Sequence, residues 1–101
     1  MIYEYDAQGS TIEAIRYYKK NKDKIGYIFK VVLEVEEEEP ILSLYDDEGE
    51  GIRIISGLSS MYGNAGVHGL IWILNDAGIN VDETFIYKNK TFNITRRHNE
   101  D

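Results

Sequence analysis

The chain contains no cysteine, a single proline and only two histidines among its 101 residues. The absence of cysteine excludes a disulfide framework, thiol catalysis and the zinc sites that use thiolate ligands. No run of apolar residues approaches the roughly 20 that a membrane-spanning helix needs. The first ten residues, MIYEYDAQGS, are polar and acidic, unlike a secretory signal. We therefore expect a soluble cytoplasmic protein that does not contact a membrane.

The composition that remains is that of a globular domain, with 43% apolar and 29% charged residues. The length favours one domain over residues 1–101. Eight tyrosines and three phenylalanines supply large apolar bodies, most of them with a polar tip, for a core or an interface. The net charge of −7 argues against direct nucleic-acid binding, which needs cations to displace counterions, and is compatible with a basic protein partner.

Alternation of apolar and polar residues predicts the strands of the first half of the chain. It is weak near the start and strict from Tyr27 to Glu36, where Tyr27, Phe29, Val31, Leu33 and Val35 share one face. The predicted strands are Met1–Tyr5, Tyr27–Glu36, Ile41–Tyr45 and Ile52–Ile55. Turns of acidic residues separate the last three of these, which we expect to form an antiparallel meander.

Two helices are predicted from their ends and their apolar faces. Ser10 and Glu13 have the spacing of a capping box, in which each side chain satisfies a free backbone N–H group at the start of a helix. The second helix begins near Ala65 to Val67, and its apolar residues recur at helical spacing: Val67, Leu70, Ile71, Leu74 and Ala77. Gly78 is expected to end this helix in a left-handed conformation.

The last part of the chain is predicted to form a β-hairpin. Thr84–Lys88 and Thr91–Arg97 are predicted strands, joined by a tight turn at Asn89 and Lys90. The expected fold class is therefore α+β, a small and mostly antiparallel sheet in the order β-α-β-β-β-α-β-β with two helices packed on one face.

The glycine-rich stretch from Ser56 to Gly66 is the most function-like feature of the sequence. It joins a predicted strand to the second helix, where free backbone N–H groups carry partial positive charge and attract anions. The stretch and its surroundings offer hydrogen-bond donors, a stacking ring and two arginines. The predicted ligand-binding residues are Ser59, Ser60, Tyr62, Gly63, Asn64, Gly66, His68, Arg53 and Arg96.

Two familiar nucleotide-binding motifs are absent from this stretch. It lacks the Gly-Lys-Ser/Thr of a P-loop, and Gly63, Gly66 and Gly69 have the wrong spacing for a dinucleotide fingerprint. The structural alternative is a loop that uses glycine for turns and close packing, with Asn64 as the helix cap.

Acidic residues form the second candidate site. Nine of the 18 acids fall between Glu34 and Glu50, and the two predicted turns divide them between opposite ends of the middle strand. We expect Glu37, Glu38, Asp46 and Asp47 to contact a basic partner if the protein binds another protein. The alternative is a solvated surface that keeps the sheet from pairing with other chains. The turn at Asp46–Glu50 lacks the order and length of a calcium-binding loop, and no metal site or cofactor is predicted.

Catalysis is not expected. Ser59 or Ser60 with His68 is the only nucleophile–base pair that the sequence offers, and no carboxylate has an obviously apolar setting. The expected function is a non-enzymatic binding protein that holds a small anionic or nucleotide-like ligand at the second helix. In size and composition the chain resembles phage accessory proteins, of which some sequester signalling nucleotides and some block host proteins. The alternative is an acidic inhibitor or immunity-type protein that blocks a basic partner surface, and a homo-oligomer is expected in either case.

Overall fold

The computed structural model describes residues 1–96, which form a five-stranded, mostly antiparallel sheet with three helices. The strands are β1 (Ile2–Asp6), β2 (Ile28–Glu36), β3 (Glu39–Asp46), β4 (Gly51–Ile55) and β5 (Phe92–Thr95). The helices are α1 (Thr11–Asn21), α2 (Gly63–Asp76) and α3 (Glu83–Lys88), and short 3-10 turns cover Lys22–Lys24 and Ser60–Tyr62. The α+β class is confirmed. None of the helices in residues 1–96 has the length and apolarity needed to cross a lipid bilayer.

The strands lie in the order β1-β4-β3-β2-β5 across the sheet. The meander of β2, β3 and β4 is antiparallel as predicted, and β5 joins β2 in antiparallel register. β1 instead pairs with β4 in parallel, with Ile2 opposite Gly51. Parallel neighbours need a long crossover between them, and here α1 and the first two strands of the meander supply it.

The hydrophobic core lies between one face of the sheet and the helices. β2, β3 and β4 contribute Val31, Leu33, Leu42, Leu44, Ile52 and Ile54, while α1 and α2 contribute Ala14, Tyr18, Val67, Leu70, Ile73 and Leu74. Both long helices therefore pack on the same face, as the sequence predicts.

The opposite face of the sheet carries a row of side chains at its centre. Glu4, Arg53, Ser43 and Val32 are register neighbours on β1, β4, β3 and β2. Arg53 Nε lies 3.2 Å from Glu4 Oε1. Ser43 is 1% exposed, and its Oγ has no hydrogen-bond partner in the described part of the chain. Arg53 is thus held on the side of the sheet away from α2.

The helix ends follow the predicted patterns. Ser10 Oγ accepts a hydrogen bond from Glu13 N at 3.1 Å, which is one half of the capping box. At the end of α2, Gly78 has φ of 89°, and Ile79 N donates to Leu74 O at 2.8 Å. These are the features of a Schellman motif, in which glycine takes the left-handed position because it has no Cβ.

Strict alternation fails at the start of β2. A register shift between Ile28 and Lys30 interrupts the pairing with β3. Ile28 is consequently buried in the core at 6% exposure, whereas Phe29, predicted to share the face of Val31, is half-buried. A bulge adds one unpaired residue and so turns the residues before it to the other face.

The predicted strand over Thr84–Lys88 is wrong, because these residues form α3. Asp82 Oδ1 accepts a hydrogen bond from Phe85 N at 2.9 Å and caps this helix, and Ile86 is buried in the core. Local capping and packing therefore override the strand preference of threonine, tyrosine and phenylalanine. The next predicted strand, Thr91–Arg97, corresponds to β5, although Arg97 lies outside the described residues.

Candidate functional site

The buried serines of the glycine-rich stretch form hydrogen bonds with its own backbone and with a neighbouring loop. Ser56 and Ser59 have positive φ angles of 68° and 136° and are 1% and 3% exposed. Ser56 Oγ accepts a hydrogen bond from Gly9 N at 2.7 Å, and Ser59 Oγ accepts one from Met61 N at 3.1 Å. Ser60 is half-buried in the 3-10 turn. Ser59 therefore serves the conformation of the loop.

Close packing accounts for two of the glycines. A Cβ atom at Gly57 would lie 2.9 Å from the carbonyl oxygen of Ser10, and one at Gly66 would overlap the carbonyl oxygen of Ser59. Gly63 differs, because its φ is 67° and a Cβ there would meet nothing within 4 Å. Gly63 is therefore the glycine in this stretch that leaves open space beside the start of α2.

Tyr62 is the cap residue of α2, so Asn64 does not have the cap position that the structural alternative gives it. Tyr62 makes no side-chain hydrogen bond to the helix, and Asn64 Oδ1 accepts one from Tyr87 Oη at 2.6 Å. The Tyr62 hydroxyl donates to Glu39 Oε1 at 3.1 Å, and burial together with this carboxylate raises the pKa of Tyr62. The first N–H groups of α2 thus lack a side-chain cap.

The remaining predicted ligand residues lie apart from the loop. His68 faces α3, where its Nε2 lies 2.9 Å from Glu83 Oε2. Arg53 points away from α2 and pairs with Glu4. Arg96 lies at the other end of α2, a helix of 14 residues and so about 21 Å long. The structure therefore does not bring either arginine to the loop.

Arg96 instead closes the C-terminal end of α2. Its guanidinium donates to Ala77 O and Gly78 O, each at 2.6 Å, and to Ile28 O at 2.8 Å. The same group packs over the ring of Tyr27, 4.4 Å from the centroid. A cation in this place satisfies helix carbonyls that have no partner within the helix.

The two acidic turns lie at opposite ends of β3, as predicted, but they differ in accessibility. Glu37 and Glu38 are exposed at the β2–β3 turn and have φ of 52° and 67°. Asp47 is exposed at the other turn. Asp46 is only 4% exposed: its Oδ2 accepts from Gly26 N at 2.8 Å, and its Oδ1 accepts from two amides of the β3–β4 turn at 2.9 Å. The Asp46 carboxylate is therefore engaged within the fold, whereas Glu37, Glu38 and Asp47 remain exposed.

Neither Ser59 nor Ser60 is hydrogen-bonded to His68 in residues 1–96. The Ser59 hydroxyl bonds within its own loop, while the His68 ring bonds to Glu83. In residues 1–96 no group of three or more acidic or histidine side chains could hold a metal ion.

A shallow, open depression of the surface lies between α2 and the start of α3. We name it the α2–α3 groove. Its volume is about 650 Å³. It is lined by His68, Ile71, Trp72, Asn75, Asp76, Val81, Asp82 and Glu83. Three of these residues are apolar and three are carboxylates, while none is lysine or arginine.

Trp72 forms the aromatic part of this groove. It lies on α2 outside the buried stripe and is 40% exposed. The rings of Tyr18 and Trp72 form an edge-to-face pair with their centroids 6.2 Å apart. Lys19 Nζ lies 4.9 Å from the centroid of the Trp72 ring. These neighbours on α1 hold the indole in place, so the groove presents a positioned aromatic surface to solvent.

Each carboxylate of the groove uses one oxygen within the fold. Asp76 Oδ2 accepts hydrogen bonds from the Tyr18 hydroxyl at 2.8 Å and from Lys22 Nζ at 2.9 Å. These two bonds outweigh burial and hold the pKa of Asp76 below its usual range. Asp82 uses Oδ1 to cap α3, and Glu83 uses Oε2 for His68. All three side chains are thereby oriented, and all three residues are exposed. The second oxygen of each carboxylate makes no hydrogen bond within residues 1–96.

The sequence held two signals for this groove that the predicted hairpin obscured. Asp82 followed by Glu83 is typical of a helix start, and it marks α3. Trp72 falls between the apolar positions of α2, and a large aromatic residue outside the buried stripe of an amphipathic helix indicates a contact surface. The groove itself depends on how α3 packs against α2, which neither signal could show.

No protein-family model, curated protein or solved structure matches the chain.

Proposed function

We propose that this protein is a non-catalytic binding protein that docks a positively charged segment of another protein in the α2–α3 groove. The proposal rests on the exposure of Trp72, which is 40% exposed in a groove lined by three carboxylates and by no lysine or arginine. The proposal keeps the acidic protein-binding function expected from the sequence but moves its centre from the hairpin turns to the helices.

The chemistry of the groove suits a protein segment. Tryptophan is among the residues that contribute most to protein interfaces, because it buries a large apolar area with little loss of side-chain freedom. Asp76, Asp82 and Glu83 would pair with cations of the partner around that aromatic contact. The net charge of −7 would speed encounter with such a partner and make association sensitive to salt.

The test uses Trp72 as its own reporter, because it is the single tryptophan of the chain. The probe is a synthetic peptide that repeats the tripeptide arginine-leucine-serine, with a peptide of the same length that repeats glutamate-leucine-serine as control. The basic peptide should shift and saturate the Trp72 emission at low salt, with affinity falling as salt rises. Emission that stays unchanged up to millimolar basic peptide would refute the proposal.

A matched pair of variants separates groove binding from general attraction to an acidic protein. Asp82→Asn with Glu83→Gln removes two charges from the groove, and asparagine still caps a helix. Glu37→Gln with Glu38→Gln removes two charges from the β2–β3 turn. The groove variant should bind the basic peptide at least fivefold more weakly than the turn variant. Equal affinities would show that the peptide responds only to net charge.

An anionic ligand at the start of α2 remains a second candidate. The observation in its favour is that Tyr62 leaves the first N–H groups of the helix without a side-chain cap, beside the open space at Gly63. Ser60 and Asn64 lie in the same stretch. Thermal shift with mono-, di- and cyclic nucleotides tests this site, and no stabilisation at millimolar concentration would exclude it.

A further inference from the structure

We infer that the group which the α2–α3 groove selects is the guanidinium of a partner arginine, in preference to the ammonium of a lysine. This inference rests on the proposed function, since it names the side chain by which the partner is recognised. Its basis is the combination of an indole surface with carboxylates that the fold already orients.

The aromatic surface favours a flat cation. The indole of Trp72 already has a cation near it, since Lys19 Nζ lies 4.9 Å from the ring centroid. Trp72 nevertheless keeps 40% of its surface exposed and lines the groove. A guanidinium is planar and weakly hydrated, so it can stack on an indole while its N–H groups point outward in the ring plane.

The carboxylates suit those N–H groups. Asp82 and Glu83 are consecutive residues of one wall, and each uses one oxygen within the fold. Asp76 lines the groove from α2 and is held by Tyr18 and Lys22. An arginine presents five N–H donors in a fixed fork and can contact two acceptors at once, whereas an ammonium acts as a point charge. Pre-oriented acceptors lower the entropy lost on binding, and this advantage is larger for the planar fork.

The fold holds one of its own arginines in a comparable way. Arg96 packs over Tyr27 at 4.4 Å from the ring centroid while its nitrogens donate to the carbonyls of Ala77 and Gly78. The groove likewise combines an aromatic ring, Trp72, with oxygen acceptors that line the same surface. The groove differs in offering carboxylates in place of carbonyls, which strengthens each hydrogen bond to a cation.

The experiment compares the arginine-leucine-serine peptide with a peptide in which every arginine is replaced by lysine, at equal length and charge. Calorimetry should show the arginine peptide binding the parent protein about fivefold more tightly or better. Trp72→Leu keeps an apolar side chain but removes the indole, so the preference should fall to less than twofold. Ile12→Ala, which removes an exposed apolar side chain of α1 outside the groove lining, should leave the preference unchanged.

The outcomes separate this inference from the proposed function. Equal affinities of the two peptides for the parent protein, with both lost in Asp82→Asn with Glu83→Gln, would overturn the arginine inference and leave the groove function standing. Absence of binding by either peptide would overturn both. A preference for arginine that survives Trp72→Leu would also overturn the inference, because it would place the selection outside the indole.

Discussion

Replacing Asp46 with alanine should destabilise the protein strongly, although the residue belongs to an acidic turn. The Asp46 carboxylate is 4% exposed and accepts hydrogen bonds from the backbone N–H groups of Gly26, Glu48 and Glu50 at 2.8–2.9 Å. A hydrogen bond to a charged group contributes about 1.5–3 kcal/mol. The amides of Glu48 and Glu50 lie in an exposed turn and can rehydrate, whereas that of Gly26 joins the turn to the start of β2. We therefore expect Asp46→Ala to lower the free energy of unfolding by about 2–4 kcal/mol at neutral pH.

The pH dependence of this loss has a defined sign. Burial opposes ionisation of Asp46, but the three N–H donors and the nearby amino terminus outweigh it and hold the pKa of the carboxyl below its ordinary value of 3.8. A carboxyl with a depressed pKa in the folded state stabilises that state above the unfolded pKa, and this contribution disappears as pH falls through the folded pKa. The difference between the parent and Asp46→Ala should thus be full above about pH 5 and shrink towards about pH 2.

Urea unfolding across this pH range measures the effect, with Glu48→Gln as control. Glu48 is exposed in the same turn, and its N–H group still donates to Asp46 in that variant. The control should stay within about 0.5 kcal/mol of the parent protein. A loss of less than about 1 kcal/mol in Asp46→Ala, or a loss that does not change with pH, would refute the reasoning.

Two further predictions concern backbone conformation. Glu37 and Glu38 form the β2–β3 turn, and both residues are left-handed. Replacing them by asparagine and glycine, which favour such turns, should raise the free energy of unfolding by about 1–2 kcal/mol in a urea titration. No gain in stability would show that the turn is not strained. Gly66→Ala should cost more than about 3 kcal/mol because its Cβ would overlap the carbonyl of Ser59. Gly63→Ala should cost about 1–3 kcal/mol, because its Cβ meets open space but its φ of 67° and ψ of −159° strain an alanine. Comparison of the two melting temperatures checks this order, and equal losses would contradict it.

Features set by neighbouring residues could be predicted from the sequence. The Ser10 cap of α1 and the left-handed Gly78 at the end of α2 are both observed. Each depends on a few residues whose hydrogen bonds close within one turn. The meander of β2, β3 and β4 was equally predictable, because short acidic turns leave adjacent strands little choice but to pair.

Features set by distant contacts could not be predicted. The parallel pairing of β1 with β4 joins residues almost 50 positions apart, such as Ile2 and Gly51. The helical form of Glu83–Lys88 depends on Ile86 entering the core, which outweighs a local preference for strand. The groove combines both effects, and it therefore emerged only from the packing of α3 on α2.

The sequence predicted the fold better than it predicted the surroundings of the candidate site residues. The serines and glycines of the 56–66 stretch are explained largely by close packing, with Ser56 and Ser59 bonded to backbone N–H groups. Arg96 is a predicted ligand residue because a planar guanidinium suits an anion, but its contact with Ala77 places it at the far end of α2. Charge and residue type indicate what a side chain can bind, but only the fold decides what it meets.

The most direct test of the central claim is to map where the arginine-leucine-serine peptide docks, by following the backbone amide resonances of the isotope-labelled protein during titration. We predict that the resonances of α2 and α3 around His68, Trp72 and Val81 move most, with saturation at a single affinity. Shifts centred on Glu37 and Glu38 would contradict the account. So would shifts spread evenly over all acidic surfaces, because they would show attraction to charge without a groove that recognises it.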